Sequence, residues 1–194
     1  MKTHQFVLAH CYGKRSPLAN LVGVIRRDCL KISPTAQGPK LGDHTTILPP
    51  FRAPVDEMAK FSIALELMKV LHGNEQNYRN EAKIVSMDYF RNPGVDALIL
   101  RISPSREYKN FVMRCRKHIE KFNEWVFDLP ENTFNPHVCI AEENNLWQKL
   151  RPHGKIFQKH FHPVHFYLPS PQIMIKIKDE RGTRWEEFDP DKEY

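Results

Sequence analysis

The sequence predicts an α+β fold built from two similar halves, and three observations indicate it. Short runs that alternate apolar and polar residues, typical of half-buried strands, stand between longer runs with helical spacing. Each half supplies a strand with the same polar pattern, a helix and a pair of strands. The 194 residues are enough for one domain with a proper core. We therefore expect a single domain of two lobes over residues 1–194.

The first half begins with a strand and a helix whose start is marked by Ser16 and Pro17. Serine is a common N-cap, and proline is favoured at the first helical position. A connection rich in proline and glycine, residues 33–43, then leads to the next strand. The expected elements are a strand at 4–11, a helix from 17 to about 30, a strand from 44 and a helix from about 54 to 71.

The second half starts with two strands joined by a turn at residues 91–94, where the sequence is Arg-Asn-Pro-Gly. Near the end of the chain, residues 172–178 carry isoleucine at every second position, which predicts another strand. The expected elements are strands at 82–90 and 96–103, a helix at about 105–126, a strand from 137, a short helix at 146–150, and strands at about 163–168, 172–178 and 185–188.

The strand that begins at 44 carries a polar pattern, the first motif, in the run GDHTTILPPF. Side chains of a strand alternate between its two faces. His44, Thr46 and Leu48 are therefore expected on one face, and Thr45 and Ile47 on the other. The strand presents a histidine and a short hydroxyl on one side and buries aliphatic side chains behind them.

The strand that begins at 137 repeats the pattern, as the second motif, in the run FNPHVCIAEE. His137 and Cys139 share a face opposite Val138 and Ile140. Each copy follows a turn signal and precedes aliphatic residues, and 93 residues separate the two histidines. Two such strands side by side supply two imidazoles and two short polar groups, which is the minimum equipment for metal-free cleavage of a phosphodiester.

The chemistry follows from this pairing. A neutral histidine activates water or a ribose hydroxyl while its protonated partner supplies a proton to the leaving oxygen. Thr46 and Cys139 are expected to bind the phosphate, and one well-placed donor typically lowers such a barrier by about 2.7–4 kcal/mol. Cys139 as the nucleophile of a Cys–His pair is an alternative, although no sequence feature supplies the third, orienting residue.

Three residues near the motifs are candidates for substrate binding. Tyr12 follows the first strand and Phe51 follows the first motif, so either ring is placed to stack on a base. Arg52, beside Phe51, is a candidate phosphate ligand. For all three, ordinary packing or solvation is the competing interpretation.

A histidine cluster near the end of the chain raises the alternative of a metal-dependent hydrolase. His160, His162 and His165 resemble an HxHxDH metal-binding run, but Val164 stands where such a site needs aspartate. No histidine follows to complete the metal shell. We therefore expect no metal and no cofactor.

Composition limits the partners and the compartment. The formal net charge of +6 favours a polyanionic partner such as a nucleotide or an RNA end. No apolar stretch reaches the length of a membrane span, and the first residues do not resemble a signal peptide. The four cysteines form no CxxC pair and suit a reducing compartment. We expect a cytoplasmic protein without a membrane partner, and a monomer is favoured.

The two motifs together resemble those of the two-histidine phosphoesterases, which include the LigT-like RNA 2′,3′-cyclic phosphodiesterases. His44-Thr45-Thr46 matches the family's duplicated H-x-[ST] pattern in full, whereas Cys139 departs from the second copy. The resemblance implies a bilobal fold in which two antiparallel sheets form a central cleft flanked by helices. It also implies one catalytic histidine from each lobe, His44 and His137, acting on a 2′,3′-cyclic phosphate or a 2′-5′ linkage.

Two other functions remain open. One uses the same chemistry to linearise cyclic oligonucleotide signals of host immunity, as some phage-encoded relatives do. The other is a nucleotide- or RNA-binding module without turnover, for which the thiol of Cys139 in place of a hydroxyl is the one supporting feature.

Overall fold

Strands and helices follow one another much as the sequence predicts. The computed structural model describes residues 3–73, 81–92, 94–119, 135–161, 164–180 and 182–194. The elements in chain order are β1 (Thr3–Cys11), α1 (Pro17–Ile32), β2 (His44–Pro54), α2 (Val55–Gly73), β3 (Glu81–Asn92), β4 (Val95–Pro104), α3 (Arg106–Ile119), β5 (His137–Glu143), α4 (Leu146–Leu150), α5 (Gly154–Gln158), β6 (His165–Tyr167), β7 (Gln172–Asp179) and β8 (Gly182–Glu187).

Helix α1 begins where Ser16 and Pro17 predict it. Ser16 Oγ accepts a hydrogen bond from the backbone N–H of Ala19 at 3.1 Å, which satisfies one donor of the first turn. The hairpin at 91–94 is also confirmed, because β3 and β4 pair antiparallel up to its last residues. Gly94 has a φ of +90°, a conformation that side chains disfavour. Pro93 of this turn lies outside the described residues.

Three elements differ from expectation. The strand expected at about 163–168 is shorter and spans His165–Tyr167, and the last strand, expected at about 185–188, spans Gly182–Glu187. Helix α5 was not expected, since its five residues are too few to show a helical period. Of the helix expected at about 105–126, the last residues, 120–126, lie outside the described residues.

All strand pairs are antiparallel, and the strands form one sheet in the order β6-β3-β4-β5-β2-β1-β7-β8. Its centre is narrow: within the described residues, β2 and β5 are joined by the pairing of Thr45 with Val138. The sheet therefore consists of two four-stranded halves that meet at the two motif strands. The first lobe is β2-β1-β7-β8, and the second lobe is β5-β4-β3-β6.

The two lobes repeat one topology. In each, a strand, a helix and the central motif strand follow in order, as β1–α1–β2 and as β4–α3–β5. The helices cross to the opposite lobe: α1 contacts β5, and Tyr108 of α3 hydrogen-bonds His10 of β1. Buried apolar side chains of both lobes form one continuous core cluster. The predicted α+β fold is confirmed, and the two expected antiparallel sheets are joined into one sheet where β2 and β5 pair.

His10 shows how closely the helices pack on the first lobe. Its side chain is fully buried, with one ring nitrogen bonded to the Tyr108 hydroxyl and the other to the Pro169 carbonyl. Burial lowers the pKa of His10 to about 4, so this ring stays neutral near pH 7.

Within the described part of the chain, no helix has the length and apolar character needed to span a bilayer.

Candidate active site

The bridge between the lobes fixes which side chains share a face. Thr45 and Val138 face each other and are fully buried. The hydroxyl of Thr45 lies 2.8 Å from that of Tyr12, so this polar group is paired within the core. Since side chains alternate along a strand, His44 and His137 lie on the opposite face of the sheet. We name this the site face, and the side that carries Thr45 the core face.

The same bridge sets the arrangement of the four predicted polar residues. Because β2 and β5 are antiparallel, the register places His44 opposite Cys139 and Thr46 opposite His137. The two histidines are thus diagonal neighbours, whose Cα atoms are typically about 7–8 Å apart. The structure therefore brings all four predicted residues together on neighbouring strands.

Both motif histidines are held in the same way. His44 Nδ1 lies 2.8 Å from the carbonyl oxygen of Gly42, and His137 Nδ1 lies 2.9 Å from that of Asn135. A carbonyl oxygen only accepts, so Nδ1 carries the proton in each ring. Each neutral histidine therefore presents an unprotonated Nε2. In both motifs the acceptor stands two residues before the histidine, so the sequence repeat is also a repeat of geometry.

The surroundings lower the pKa of both histidines. Burial is the largest cause for each, and a backbone hydrogen bond to Nδ1 partly opposes it. The proximity of His137 lowers the pKa of His44 further, whereas Asp43 raises it. Arg101 lowers the pKa of His137. The charges thus differ at the two rings: a carboxylate favours the protonated form of His44, and a guanidinium favours the neutral form of His137.

Arg101 and Phe90 complete the second half of the site, and the sequence analysis did not identify either. Arg101 lies opposite His137 in the β4–β5 register, and its Nε donates to Asp88 Oδ2 at 2.8 Å. The Phe90 ring packs edge-on against the imidazole of His137, with ring centroids 4.5 Å apart. The available signal was Arg101 itself, a charged residue inside the apolar run of a strand.

Arg26 of α1 connects the two motifs. Its Nε donates to the carbonyl oxygen of Ile140 in β5, and its terminal nitrogen donates to Asp43 Oδ1, each at 2.6 Å. Asp43 immediately precedes His44, so one half-buried guanidinium fixes both motif strands. A Cβ at Gly38 would lie 3.3 Å from Arg26 Nε, tighter than most real contacts, so the loop passes close over this side chain.

Cys139 is a neutral thiol in this arrangement. Burial is the largest cause that raises its pKa, to about 12, and nearby acidic residues add to the effect. A nucleophilic cysteine needs the opposite shift, because the thiolate is the reactive form. Cys11, which lies opposite His44 in β1, likewise has its pKa raised to about 11, mainly by burial. The site therefore favours Cys139 as a weak hydrogen-bond donor to a ligand.

The three candidates for substrate binding lie apart from one another. Phe51 is buried in the core, where its ring stacks on Phe6. Tyr12 packs against the core and bonds Thr45 on the core face. Neither ring reaches the site face, so the packing interpretation describes both. Arg52 is exposed and lies on the site face, opposite Gln5.

Leu48 corrects the simple alternation expected for the first motif. The β1–β2 register shifts twice, on either side of Leu8, and Leu48 pairs with Leu8 on the core face. Both Ile47 and Leu48 are buried as a result. These irregularities let the strand bury two consecutive aliphatic side chains while Thr46 stays on the site face.

The histidine cluster near the end of the chain is dispersed. His160 Nε2 lies 2.7 Å from Asp28 Oδ2, and His165 Nδ1 lies 3.7 Å from Glu81 Oε1. His162 lies outside the described residues. Among the described residues, no three histidine, cysteine, aspartate or glutamate side chains converge as a metal site would require.

Comparisons with known proteins identify the fold. No protein-family model matches the sequence, and no curated protein matches it. Among solved structures, TT0787 of Thermus thermophilus matches with a TM-score of 0.60 and 13% identity over 95% of each chain. E. coli LigT in complex with 3′-AMP matches with a TM-score of 0.57 and 12% identity over 97% of each chain. The chain therefore has the LigT-like fold that its motifs imply.

Proposed function

We propose that this chain is a two-histidine phosphoesterase that cleaves a phosphodiester of a nucleotide or an RNA end without a metal. One observation carries the proposal. His44 and His137 meet on one face of the sheet, and each has its Nδ1–H bonded to a carbonyl oxygen two residues earlier. Two neighbouring imidazoles that each present a free Nε2 atom can act as an acid–base pair on a phosphate bound between them.

The charges around the rings suggest their roles in hydrolysis. Arg101 favours the neutral form of His137, so this ring serves as the general base, and its Nε2 removes a proton from the attacking water. The water oxygen bonds to phosphorus while the bond from phosphorus to the ribose oxygen breaks. Asp43 favours the protonated form of His44, so this ring serves as the general acid, and its Nε2–H protonates that leaving oxygen. A proton has then moved from one histidine to the other by way of the substrate.

The phosphate is placed by short donors and by one cation. The Thr46 hydroxyl and the Cys139 thiol stand on the site face beside the two histidines, and Arg101 lies opposite His137. Negative charge on the non-bridging oxygens grows toward the transition state, where donors already in position contribute most. A thiol donates a weaker hydrogen bond than a hydroxyl, so Thr46 and Arg101 stabilise this negative charge more than Cys139 does.

The preferred substrate in this proposal is a 2′,3′-cyclic phosphate, with a 2′-5′ linkage as the second choice. The pairing of one base with one acid suits either linkage, since each has a ribose oxygen as leaving group. LigT, whose fold this chain shares, binds 3′-AMP in its crystal structure. A nucleotide bound with its phosphate at the histidines is consistent with the formal net charge of +6.

A substrate panel tests the proposal. The purified protein is incubated in EDTA with 2′,3′-cyclic nucleotides, RNA ends that carry a cyclic phosphate, 2′-5′ oligonucleotides and cyclic oligonucleotides. We expect turnover of a ribose phosphodiester in the presence of the chelator. Cleavage of cyclic oligonucleotides alone would favour the anti-defence activity, and tight binding without any cleavage would favour a binding module. Activity that EDTA abolishes and zinc restores would contradict the metal-free mechanism.

The pH dependence of kcat/KM provides a second prediction. This parameter rises with pH as the base loses its proton and falls as the acid loses its own. Both pKa values are lowered from about 6.5, so we expect the optimum on the acidic side of that value. Replacing Arg101 by Gln removes the cation that lowers the pKa of His137. The profile of R101Q should therefore shift toward higher pH.

The matched control for this shift is R27Q, which removes an exposed cation from α1. Its profile should coincide with that of the unmodified protein. A lower kcat/KM of R101Q at all pH values would indicate weaker binding of the phosphate, whereas the position of the profile along the pH axis reports the pKa of His137. An unshifted R101Q profile, or an optimum well above pH 7, would contradict the assigned charges.

A further inference from the structure

A row of polar and aromatic side chains crosses the first lobe away from the histidines. Arg52 of β2 lies opposite Gln5 of β1, and Lys176 of β7 lies opposite Trp185 of β8. Lys176 Nζ donates to Gln5 Oε1 at 3.0 Å, which joins the two pairs. We name these four residues the outer row. They belong to four neighbouring strands and form one line across the sheet.

The outer row lies on the site face. Arg52 and Gln5 alternate with Phe51 and Phe6, which stack on each other in the core. The β1 strand also gives the spacing from the site, because Ala9 lies opposite Thr46 and Gln5 is four residues earlier. At about 3.3 Å per residue, the outer row stands about 13 Å from the Thr46 position.

The two cations of the outer row have no carboxylate partner among the described residues. Arg52 and Lys176 are exposed, and neither is in an ion pair there. By contrast, Arg184 next to Trp185 is neutralised by Asp179 and Glu186. The outer row thus keeps free positive charge, while a neighbouring cation in the edge strand has its charge balanced.

Trp185 adds an aromatic surface to this charge. Its ring is half-buried in the edge strand, with Lys176 Nζ 5.9 Å from the ring centroid. Surfaces that bind single-stranded nucleic acid typically combine cations, which contact the phosphate backbone, with aromatic rings on which bases stack. One row closer to the histidines, Met174 lies opposite Glu187, so the intervening surface carries one apolar side chain and one carboxylate.

We propose that the outer row binds the single-stranded RNA that continues from the phosphate held between the histidines. The proposal rests on the proposed function and specifies its substrate as an RNA end rather than a free nucleotide. At the stacked spacing of about 3.4 Å per nucleotide, 13 Å corresponds to about four nucleotides, and to fewer in an extended strand. Arg52 and Lys176 contact phosphates there, and Trp185 stacks on a base.

The test compares a short and a long substrate with the same reacting group. One is a 2′,3′-cyclic mononucleotide, and the other is an RNA of about eight nucleotides that ends in that cyclic phosphate. W185A should lower kcat/KM for the RNA at least about fivefold, the usual lower limit for a lost stacking contact. Its kcat/KM for the mononucleotide should stay within about twofold, because the row is remote from the histidines.

The double variant R52Q/K176Q tests the phosphate contacts. A single-stranded ligand loses about 0.7 in the slope of log K against log salt for each contact, so the slope should fall by about 1.4. Binding is measured by fluorescence anisotropy with an RNA that ends in a 3′-hydroxyl, which needs no turnover. The matched control is R27Q/K109Q, which removes two exposed cations from the helices and should leave the slope unchanged.

The outcomes separate this inference from the proposed function. If the protein cleaves the mononucleotide but W185A and R52Q/K176Q behave like the control on RNA, the outer row is not an RNA site. If the control double variant reduces RNA binding as much as R52Q/K176Q, the effect is one of net charge, and the inference is also wrong. If no ribose phosphodiester is cleaved, the proposed function fails, and the anisotropy series still decides whether the outer row binds RNA.

Discussion

Alanine at His44 or at His137 is expected to lower turnover by about 10²–10⁴-fold, the usual contribution of one general acid or base. Each ring serves either as the general acid or as the general base, and the other ring cannot replace it in that role. Their Nδ1 atoms are tied to the backbone, so only one Nε2 faces the substrate from each side. Turnover is measured under saturating substrate, with a cyclic phosphate that the unmodified protein cleaves.

The matched control for these variants is H165A, because His165 is an exposed histidine in β6. It should keep full turnover, and thermal unfolding should show that all three variants remain folded. The double variant H44A/H137A should lose little more than the single variants, since the two residues act as a unit. Near-normal turnover in H44A or H137A would mean that the pair is not the acid–base pair.

A substrate whose leaving group needs no proton should distinguish the two histidines. With a nucleoside 3′-(p-nitrophenyl phosphate), the nitrophenolate leaves as a stable anion. The turnover of H44A should then fall by less than about tenfold, because this leaving group needs no general acid. The turnover of H137A should still fall by about 10²-fold or more. The two variants should therefore differ by at least about tenfold on this substrate and lose similar amounts on a cyclic phosphate.

The turnover of H44A and H137A on these two substrates also tests which histidine is the acid and which is the base. His44 is assigned as the acid because Asp43 is near it, and His137 as the base because Arg101 is near it. If H137A were the variant rescued by the activated leaving group, the roles would be reversed. If both variants lost equally on both substrates, neither histidine would act as a dedicated acid.

Much of the site was predictable because it depends on local periodicity. Alternation along a strand places His44 with Thr46 and His137 with Cys139, whatever the rest of the chain does. The structure confirms that these pairs face away from buried Thr45 and Val138. That the two pairs lie next to each other was implied by the resemblance to a known family, because spacing alone does not show which strands are neighbours.

The residues that prediction missed or misplaced depend on register and tertiary packing. Arg101 reaches His137 through cross-strand register, which no local pattern reveals. Leu48 turns to the core because β2 is irregular there. The register shifts a second time beyond Leu48, so Phe51 returns to the core face and Arg52 to the site face, where strict alternation from His44 would place them. One shift of register exchanges the faces of all later residues and a second restores them, and no local pattern shows how many shifts a strand contains.

The order of the strands has a consequence for how the protein is made. Strand β1 stands between β2 and β7, so Phe6 must find Ile175 near the other end of the sequence. Contacts between such distant residues are slow to form, because a long loop must close before they stabilise anything. During synthesis, the lobe that carries His44 therefore remains incomplete until β7 has left the ribosome. Although His44 is translated well before β7, the lobe that carries it is assembled only after β7 is available, and until then a growing chain carries no finished pair of motif histidines.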